Sequence, residues 1–145
     1  VRAHFIAARA AVGPMKAQGG GSIIITSSNS GVQFDREMIA YATTKHAVVA
    51  MTRQMAADYA GHNIRFNALC PGFIDTPMTE QNKFPMPFLM PLDKAADRLV
   101  ASMKKDMFEI TFPKRFTWLL KFINILPYPL YFWLVGRGTS GGKKK

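Results

Sequence analysis

Residues 21–28 read Gly-Ser-Ile-Ile-Ile-Thr-Ser-Ser, and residues 41–45 read Tyr-Ala-Thr-Thr-Lys. The first stretch is a short β-branched run without polar alternation, which predicts a parallel strand over 22–28 that is buried on both faces. Apolar residues follow helical spacing over 41–60, and a second strand is predicted over 64–69. A strand, a helix and a strand joined this closely predict parallel neighbours with a right-handed connection. The sequence therefore predicts the α/β fold class.

Tyr41 and Lys45 are four positions apart, so a helix places them on one face, one turn from each other. A cation beside a phenol favours the phenolate, which suits the phenol to acid and base work. Ser28 closes the strand, so its hydroxyl can donate to an oxygen at the same edge of the sheet. A Tyr-x-x-x-Lys pair alone is more often an ordinary packing feature. The order of serine strand, Tyr/Lys helix, second strand and Pro71-Gly72 favours a carbonyl-reduction site.

Three stretches resemble the short-chain dehydrogenase/reductase family: Gly21 to Gly31, Tyr41 to Lys45, and Asn63 to Thr76. The last of them reads Asn-Ile-Arg-Phe-Asn-Ala-Leu-Cys-Pro-Gly-Phe-Ile-Asp-Thr. The resemblance covers about residues 1 to 112. It implies the C-terminal part of a Rossmann-type doubly wound parallel sheet, followed here by an apolar helical extension. It also implies an oxidoreductase that passes hydride between NAD or NADP and a carbonyl carbon.

The resemblance further implies which residues act. Tyr41 would exchange the proton with the substrate oxygen, Ser28 would hold that oxygen, and Lys45 would hold the nicotinamide ribose. Ser27 competes with Ser28, and the family's usual spacing to the tyrosine selects Ser28. The cofactor-binding residues implied are Tyr41, Lys45, Pro71, Gly72, Ile74 and Thr76. Pro71-Gly72 lies outside the carboxyl end of a strand, where open α/β sheets bind ligands, and its alternative reading is an ordinary turn.

The family's glycine-rich phosphate loop and its catalytic asparagine would both fall before Val1. The chain is therefore expected to be a C-terminal portion without the cofactor-binding half, inactive in isolation. The glycines at 19–21 do not replace the phosphate loop, because they leave a helix and enter a strand. The alternative is a non-catalytic fragment or pseudoenzyme that acts as a membrane-surface or protein-interaction module.

Apolar residues on two loops are the candidates for substrate contact. The loop over 29–40 carries Phe34 and Met38, and the stretch over 77–91, rich in Met, Pro and Phe, carries Met78 and Phe84. Met and Phe adapt to irregular apolar shapes, which favours a hydrophobic small-molecule substrate, a bulky apolar alcohol or carbonyl compound. The alternative is that these residues only pack their own loops.

Two further helices and a strand are predicted. The helix over 1–18 is expected to kink or end early at Pro14, and its apolar surface is assigned to Phe5, Ile6, Ala10 and Val12. A helix capped by Asp93 runs to about Lys105, and its inward residues are predicted to be Ala96, Leu99, Val100 and Met103. A last strand is predicted over 108–112. In the family, the helices corresponding to 1–18 and 41–60 commonly pair across a dimer axis, which implies a homo-oligomer.

The net charge of +10 is concentrated in the last third of the chain, where residues 104–145 hold nine basic and two acidic side chains. We divide the chain into a partial catalytic domain over 1–113 and an extension over 114–145. The extension is apolar and aromatic, but Lys121, Asn124 and two prolines interrupt it, so a membrane span is not predicted. Contact with a membrane surface through 114–137 is the hypothesis. The alternative is that the extension covers the substrate loop or a partner subunit.

The single Cys70 excludes an internal disulfide. His4, His46 and His62 are scattered without ligand spacing, so no metal site is predicted. The basic residues are not accompanied by a nucleic-acid motif, so nucleic-acid binding is not predicted. A cytoplasmic location is expected, with a peripheral membrane position as the alternative.

Overall fold

The structure is a computed structural model that describes residues 1–33, 37–82, 86, 88–104, 109–112 and 114–138. In chain order its helices and strands are α1 (Arg2–Ala17), β1 (Gly21–Thr26), α2 (Ile39–Tyr59), β2 (Ile64–Pro71), β3 (Ile74–Asp75), α3 (Pro77–Glu80), β4 (Met90–Pro91), α4 (Leu92–Met103), β5 (Glu109–Phe112), α5 (Lys114–Ile123) and α6 (Tyr128–Gly138). Short 3-10 helices cover Asn29–Gly31 and Ala60–His62.

Three of the described strands form a parallel sheet in the order β1-β2-β5. Gly21 pairs with Ile64 at one end of β1, and Thr26 pairs with Leu69 at the other. On the far side of β2, the pairing with β5 runs to Pro71 opposite Phe112. A second parallel pair joins β3 to β4. The predicted α/β class with parallel neighbours is confirmed.

Helices cover both faces of β2, because its side chains alternate between the faces. Ile64 and Phe66 pack against Ala8 and Val12 of α1. Further along the same face of β2, Ala68 and Cys70 pack against Val49 of α2. On the opposite face, Leu69 packs with Met90 and Ala95, which begins the cluster under α4. Helices on both faces of a parallel sheet are the doubly wound arrangement that the sequence predicted.

The strand β1 is less buried than predicted. It ends at Thr26 rather than at residue 28, and Ile25 is its one buried residue. Ser22 and Thr26 are exposed, because α4 contacts β3, β4 and β5 on their face of the sheet and leaves the β1 side uncovered among the described residues.

Two predicted helix faces were wrong in part, since only Val12 of the first set and Leu99 of the second face inwards. Pro14 lies inside α1, which continues to Ala17. The buried residues of α1 are Ala8 and Val12, whereas Phe5, Ile6 and Ala10 are exposed.

In α4, Pro91 occupies the N-cap and Asp93 lies in the first turn. Its inward residues are Ala95, Leu99 and Ser102, whereas Ala96, Val100 and Met103 are exposed. Both helices carry more than one apolar stripe, and contact with the sheet selects which stripe is buried.

The extension forms two short helices joined by a turn at 124–127. None of the helices in the described part of the chain is long and apolar enough to cross a membrane. The division between 1–113 and 114–145 stays a prediction.

Candidate active site

Ser28 follows β1 and begins the 3-10 helix Asn29–Gly31 as its N-cap. Its backbone is extended, with φ −162° and ψ 164°. The side-chain oxygen accepts a hydrogen bond from the Ser30 backbone N–H at 3.2 Å and donates to Ser30 Oγ at 3.3 Å. Ser28 is half-buried, so its hydroxyl is held in a defined place at the carboxyl end of the sheet without being sealed in the core.

Ser27 has a different environment although it is the adjacent residue. It is buried, and its hydroxyl donates to the Lys45 carbonyl at 3.0 Å. Its own N–H donates to the Leu69 carbonyl at 2.8 Å, which extends the sheet pairing past β1. Ser27 therefore fastens the end of the strand to the turn of α2 that carries Lys45. Sequence reasoning treated it only as a competitor of Ser28 and missed this positioning role.

Gly31 marks the closest approach of the loop to α2. A Cβ atom there would lie 2.6 Å from Ser27 Oγ and 2.8 Å from the Lys45 carbonyl oxygen. Neither distance leaves room for a side chain. The Ser-x-x-x-Gly spacing at 27–31 is the sequence signal that could have pointed to this contact.

On α2, Tyr41 and Lys45 stand together as their spacing predicts. The Lys45 ammonium lies 5.5 Å from the centroid of the Tyr41 ring, within the range of a cation–π contact. Tyr41 is 43% exposed and Lys45 is half-buried. The phenol thus faces accessible space with a cation fixed beside it.

His4, in the first turn of α1, approaches the same cation from a second helix. Burial lowers the pKa of His4 below its ordinary value of 6.5, and the positive charge of Lys45 lowers it further. Its Nδ1 is buried without a hydrogen-bond partner among the described residues. In the sequence, His4 is one of three scattered histidines, and no spacing signal links it to a lysine on another helix.

The segment after β2 has a defined backbone. Pro71 is the last residue of the strand, Gly72 follows it, and Ile74 enters the short pair with β4. Thr76 is the N-cap of α3, and its hydroxyl shares a capping box with Thr79. Thr79 Oγ also donates to the Ile74 carbonyl at 2.6 Å. Thr79, which sequence reasoning missed, braces the two residues that the resemblance implied for cofactor binding.

The candidates for substrate contact are only partly described. Met38 is 44% exposed at the N-cap of α2, and Met78 is 81% exposed on α3. Phe34 and Phe84 lie outside the described residues. A groove of about 450 Å³ lies elsewhere, between α1 and α2, where Phe5 and Ile6 face Met51 and Met55. Neither Ser28 nor Tyr41 lines this groove, so we do not assign the substrate to it.

The extension reaches the site through one long-range hydrogen bond. Asn124, in the turn between α5 and α6, donates through Nδ2 to the Val32 carbonyl at 2.8 Å. Val32 directly follows the 3-10 helix that Ser28 begins, and its side chain packs against the cluster of Val49, Ala68 and Cys70. Tyr131 of α6 is buried. The turn of the extension therefore rests on the loop beside the candidate catalytic serine.

The described donors fit the nicotinamide end of a dinucleotide. Tyr41 offers a hydroxyl, and the Lys45 ammonium lies 5.5 Å from the centroid of its ring. Among the residues that the structure describes, no group of three His, Cys, Asp or Glu side chains could hold a metal ion.

Comparison with known proteins gives a consistent family match. Residues 1–85 match the model of a family described as short chain dehydrogenase. A 2-(R)-hydroxypropyl-CoM dehydrogenase from Xanthobacter autotrophicus is 44% identical over 80 residues, which are 55% of this chain and 32% of that protein. The 3-oxoacyl-[acyl-carrier-protein] reductase FabG of Thermotoga maritima is 47% identical over 64 residues, 44% of this chain and 26% of that protein. The chain thus spans about a third or less of the length of these relatives.

Solved structures share the fold. A 4-hydroxyisoleucine dehydrogenase mutant complexed with NADH and succinate has a TM-score of 0.63 at 26% identity, over 77% of this chain and 54% of that one. The L-sorbose reductase of Gluconobacter frateurii, complexed with NADPH and L-sorbose, has a TM-score of 0.58 at 28% identity, over 69% of this chain and 46% of that one.

Proposed function

Because the chain belongs to the short chain dehydrogenase family, whose model matches residues 1–85, we propose that it supplies the proton-transfer site of an NAD(P)-dependent oxidoreductase. The reaction interconverts an alcohol and a carbonyl compound. The observation that carries the proposal is the Lys45 ammonium 5.5 Å from the Tyr41 ring centroid, at the end of the sheet where Ser28 begins a helix.

Three side chains divide the work. Tyr41 gives a proton to the carbonyl oxygen during reduction and takes it back during oxidation. Ser28 donates a hydrogen bond to the same oxygen. In the absence of substrate its hydroxyl donates to Ser30 at 3.3 Å, a long bond that exchanges for a substrate oxygen at little cost. Lys45 stabilises negative charge on Tyr41 and donates to the ribose hydroxyls.

The cofactor is NAD or NADP, and related structures with NADH and with NADPH support both. When bound, it supplies or accepts the hydride. The residues of this chain that would hold its nicotinamide end are Tyr41, Lys45, Pro71, Gly72, Ile74 and Thr76. The Thr76 hydroxyl already takes part in the capping box of α3, so its contact with the cofactor shares that hydrogen-bond network.

The substrate is a small-molecule alcohol or carbonyl compound of hydrophobic character. Met38, at the N-cap of α2, and Met78, on α3, are both exposed. Methionine adapts to ligands of irregular shape.

The test is a Tyr41→Phe substitution in the protein that contains this chain. Loss of the hydroxyl removes the proton donor, so we expect kcat to fall by about 10²-fold or more. Tyr41 is 43% exposed, so the melting temperature should stay close to that of the wild type. Turnover that persists near the wild-type rate would exclude Tyr41 as the proton donor.

A second copy of the chain is the proposed partner. Phe5 and Ile6 are about half exposed and line the groove between α1 and α2, which favours a homo-oligomer built on these helices.

A non-catalytic interaction module is the competing function. The exposed aromatic residues of α5 and α6 favour it. Titrating the protein that contains this chain with NADH and NADPH separates the two proposals: a change in nicotinamide fluorescence on binding supports the enzyme, and no change with either cofactor supports the module.

A further inference from the structure

The hairpin formed by α5, α6 and their turn presents large apolar side chains outwards. Trp118, Phe122 and Ile125 are 72%, 65% and 80% exposed. Their spacing of four and three positions aligns them along one side of α5 and the turn. On α6, the rings of Tyr128 and Phe132 stack with centroids 6.3 Å apart, and both are also exposed. These five residues define the outer strip of the hairpin.

Two residues of the hairpin attach it to the rest of the chain or are buried. Tyr131 is buried, and Asn124 donates to the Val32 carbonyl. The five residues of the outer strip stay exposed although these contacts are made. Several large exposed apolar side chains on one short segment are typical of an interaction site in a folded protein.

Charge identifies the partner. Residues 114–145 contain seven basic residues and no acidic residue. A segment whose charged residues are all basic and whose exposed side chains include tryptophan, tyrosine and phenylalanine complements an anionic lipid surface, where aromatic rings lie at the headgroup level and basic groups meet the phosphates. An apolar face on a neighbouring protein would not require this excess of one charge.

Helix length determines how the hairpin meets the lipid. The helices α5 and α6 have 10 and 11 residues, so each is about 15 Å long. The hydrocarbon core of a bilayer is about 30 Å thick. Helices of this length lie in the interface plane, with one face in the boundary between headgroups and acyl chains.

We propose that the hairpin docks flat on an anionic membrane surface through its outer strip and thereby holds the catalytic loop against the bilayer. Asn124 belongs to the docking hairpin, and its acceptor Val32 belongs to the loop that Ser28 begins. Val32 is anchored in the core beside Val49. The hairpin thus docks with the candidate active site beside it. Where the proposed oxidoreductase function holds, the apolar substrate enters from the bilayer.

The test is sedimentation of the 145-residue chain with two kinds of vesicle. One contains only phosphatidylcholine, and the other contains equal parts of phosphatidylcholine and phosphatidylglycerol. We expect binding to the anionic vesicles that weakens with added salt. The triple variant Trp118→Ala/Phe122→Ala/Ile125→Ala should bind them about tenfold more weakly.

The matched control removes three exposed apolar side chains from α4. Leu92, Val100 and Met103 are 55%, 51% and 46% exposed, and the variant Leu92→Ala/Val100→Ala/Met103→Ala should bind as the wild type does. Circular dichroism confirms that both variants are folded. Equal vesicle binding by the wild type and the hairpin variant overturns the proposal. A hairpin variant that instead dissociates an oligomer in lipid-free light scattering also overturns it, because a second copy would then occupy the strip.

Vesicle binding is measured without turnover, so its failure is separate from failure of the proposed activity. A Tyr41→Phe variant that stays active would remove the oxidoreductase proposal and leave the docking intact. For substrate entry, the same triple substitution of the hairpin is made in the protein that contains this chain, which should lose turnover of a long-chain secondary alcohol presented in anionic vesicles and keep turnover of 2-propanol. Equal loss with both alcohols overturns entry from the bilayer.

Discussion

Two neighbouring serines show how the site depends on environment rather than on residue type. Ser27 is buried and commits its proton to the Lys45 carbonyl. Ser28 is half-buried, and its hydroxyl makes only a long bond to Ser30. The first hydroxyl positions the helix that carries the tyrosine, and the second is available to a ligand.

Gly31 offers a direct test of this positioning. A methyl group there meets Ser27 Oγ at 2.6 Å, so Gly31→Ala should lower the free energy of unfolding by about 1–3 kcal/mol. The control is Gly13→Ala in α1, where a Cβ has nothing within 4 Å. Alanine should stabilise that helix by about 0.5–1 kcal/mol. Urea denaturation measures both. A Gly31→Ala variant as stable as the wild type would contradict the close approach.

His4 should make stability depend on pH. Burial, with help from the positive charge of Lys45, lowers the pKa of His4 below 6.5 in the folded chain. As the pH falls through 6.5, the unfolded chain takes up the proton before the folded chain does. The stabilisation from neutral His4 is therefore complete above that pH and is lost progressively below it.

The measurement is the melting temperature of wild type and His4→Gln between pH 7 and pH 5. Glutamine does not titrate, so the variant should lose less stability across this range. His62→Gln, on the exposed 3-10 helix after α2, should keep the wild-type dependence. Parallel curves for wild type and His4→Gln would remove the assignment.

At the scale of elements, β2 organises the molecule. It is the middle strand of the described sheet, and its alternating side chains meet α1 and α2 on one face and the α4 cluster on the other. The order of strand, helix and strand could be predicted from the sequence because it depends on local periodicity. The inward face of α4 could not, because Ala95 and Ala96 have the same side chain and only the position of the sheet separates them.

This difference predicts opposite effects of one substitution at adjacent positions. Ala95 is 3% exposed, so Ala95→Leu should overpack the cluster of Met90 and Leu99 and cost about 1–3 kcal/mol. Ala96 is exposed, and Ala96→Leu should change stability by no more than about 0.5 kcal/mol. Chemical denaturation of both variants provides the comparison. If Ala96→Leu were instead the more destabilising substitution, the face of α4 that we assign to the sheet would be wrong.

At the scale of the whole molecule, the extension is joined to the domain that it follows. The hydrogen bond from Asn124 to Val32 spans 92 positions of sequence, and Tyr131 adds a buried ring. The sequence shows that the extension is apolar, and it allows two roles for it. No spacing in the sequence indicates that Asn124 contacts the loop beside Ser28.

Asn124→Ala should loosen this connection. Loss of one exposed hydrogen bond costs about 0.5–1.5 kcal/mol, so the global melting temperature should fall only slightly. Amide hydrogen exchange should accelerate in residues 30–33 and 118–134. Gln18→Ala is the control, because Gln18 Nε2 also donates to a carbonyl at 2.8 Å, but to Gly20, two positions away. Exchange in the extension that is unchanged by Asn124→Ala would show that other contacts hold the hairpin.

The sequence by itself determined the parallel α/β class and the pairing of Tyr41 with Lys45, because these depend on periodicity and on local spacing. It also contains the three stretches by which the chain resembles its family. Tertiary structure alone decided which serine is committed to packing, why Gly31 lacks a side chain, how His4 comes near Lys45, and where Asn124 rests. Each of these depends on distances between residues on different elements. Local sequence therefore predicts the helix that carries Tyr41 and Lys45, whereas contacts between distant elements determine how that helix packs.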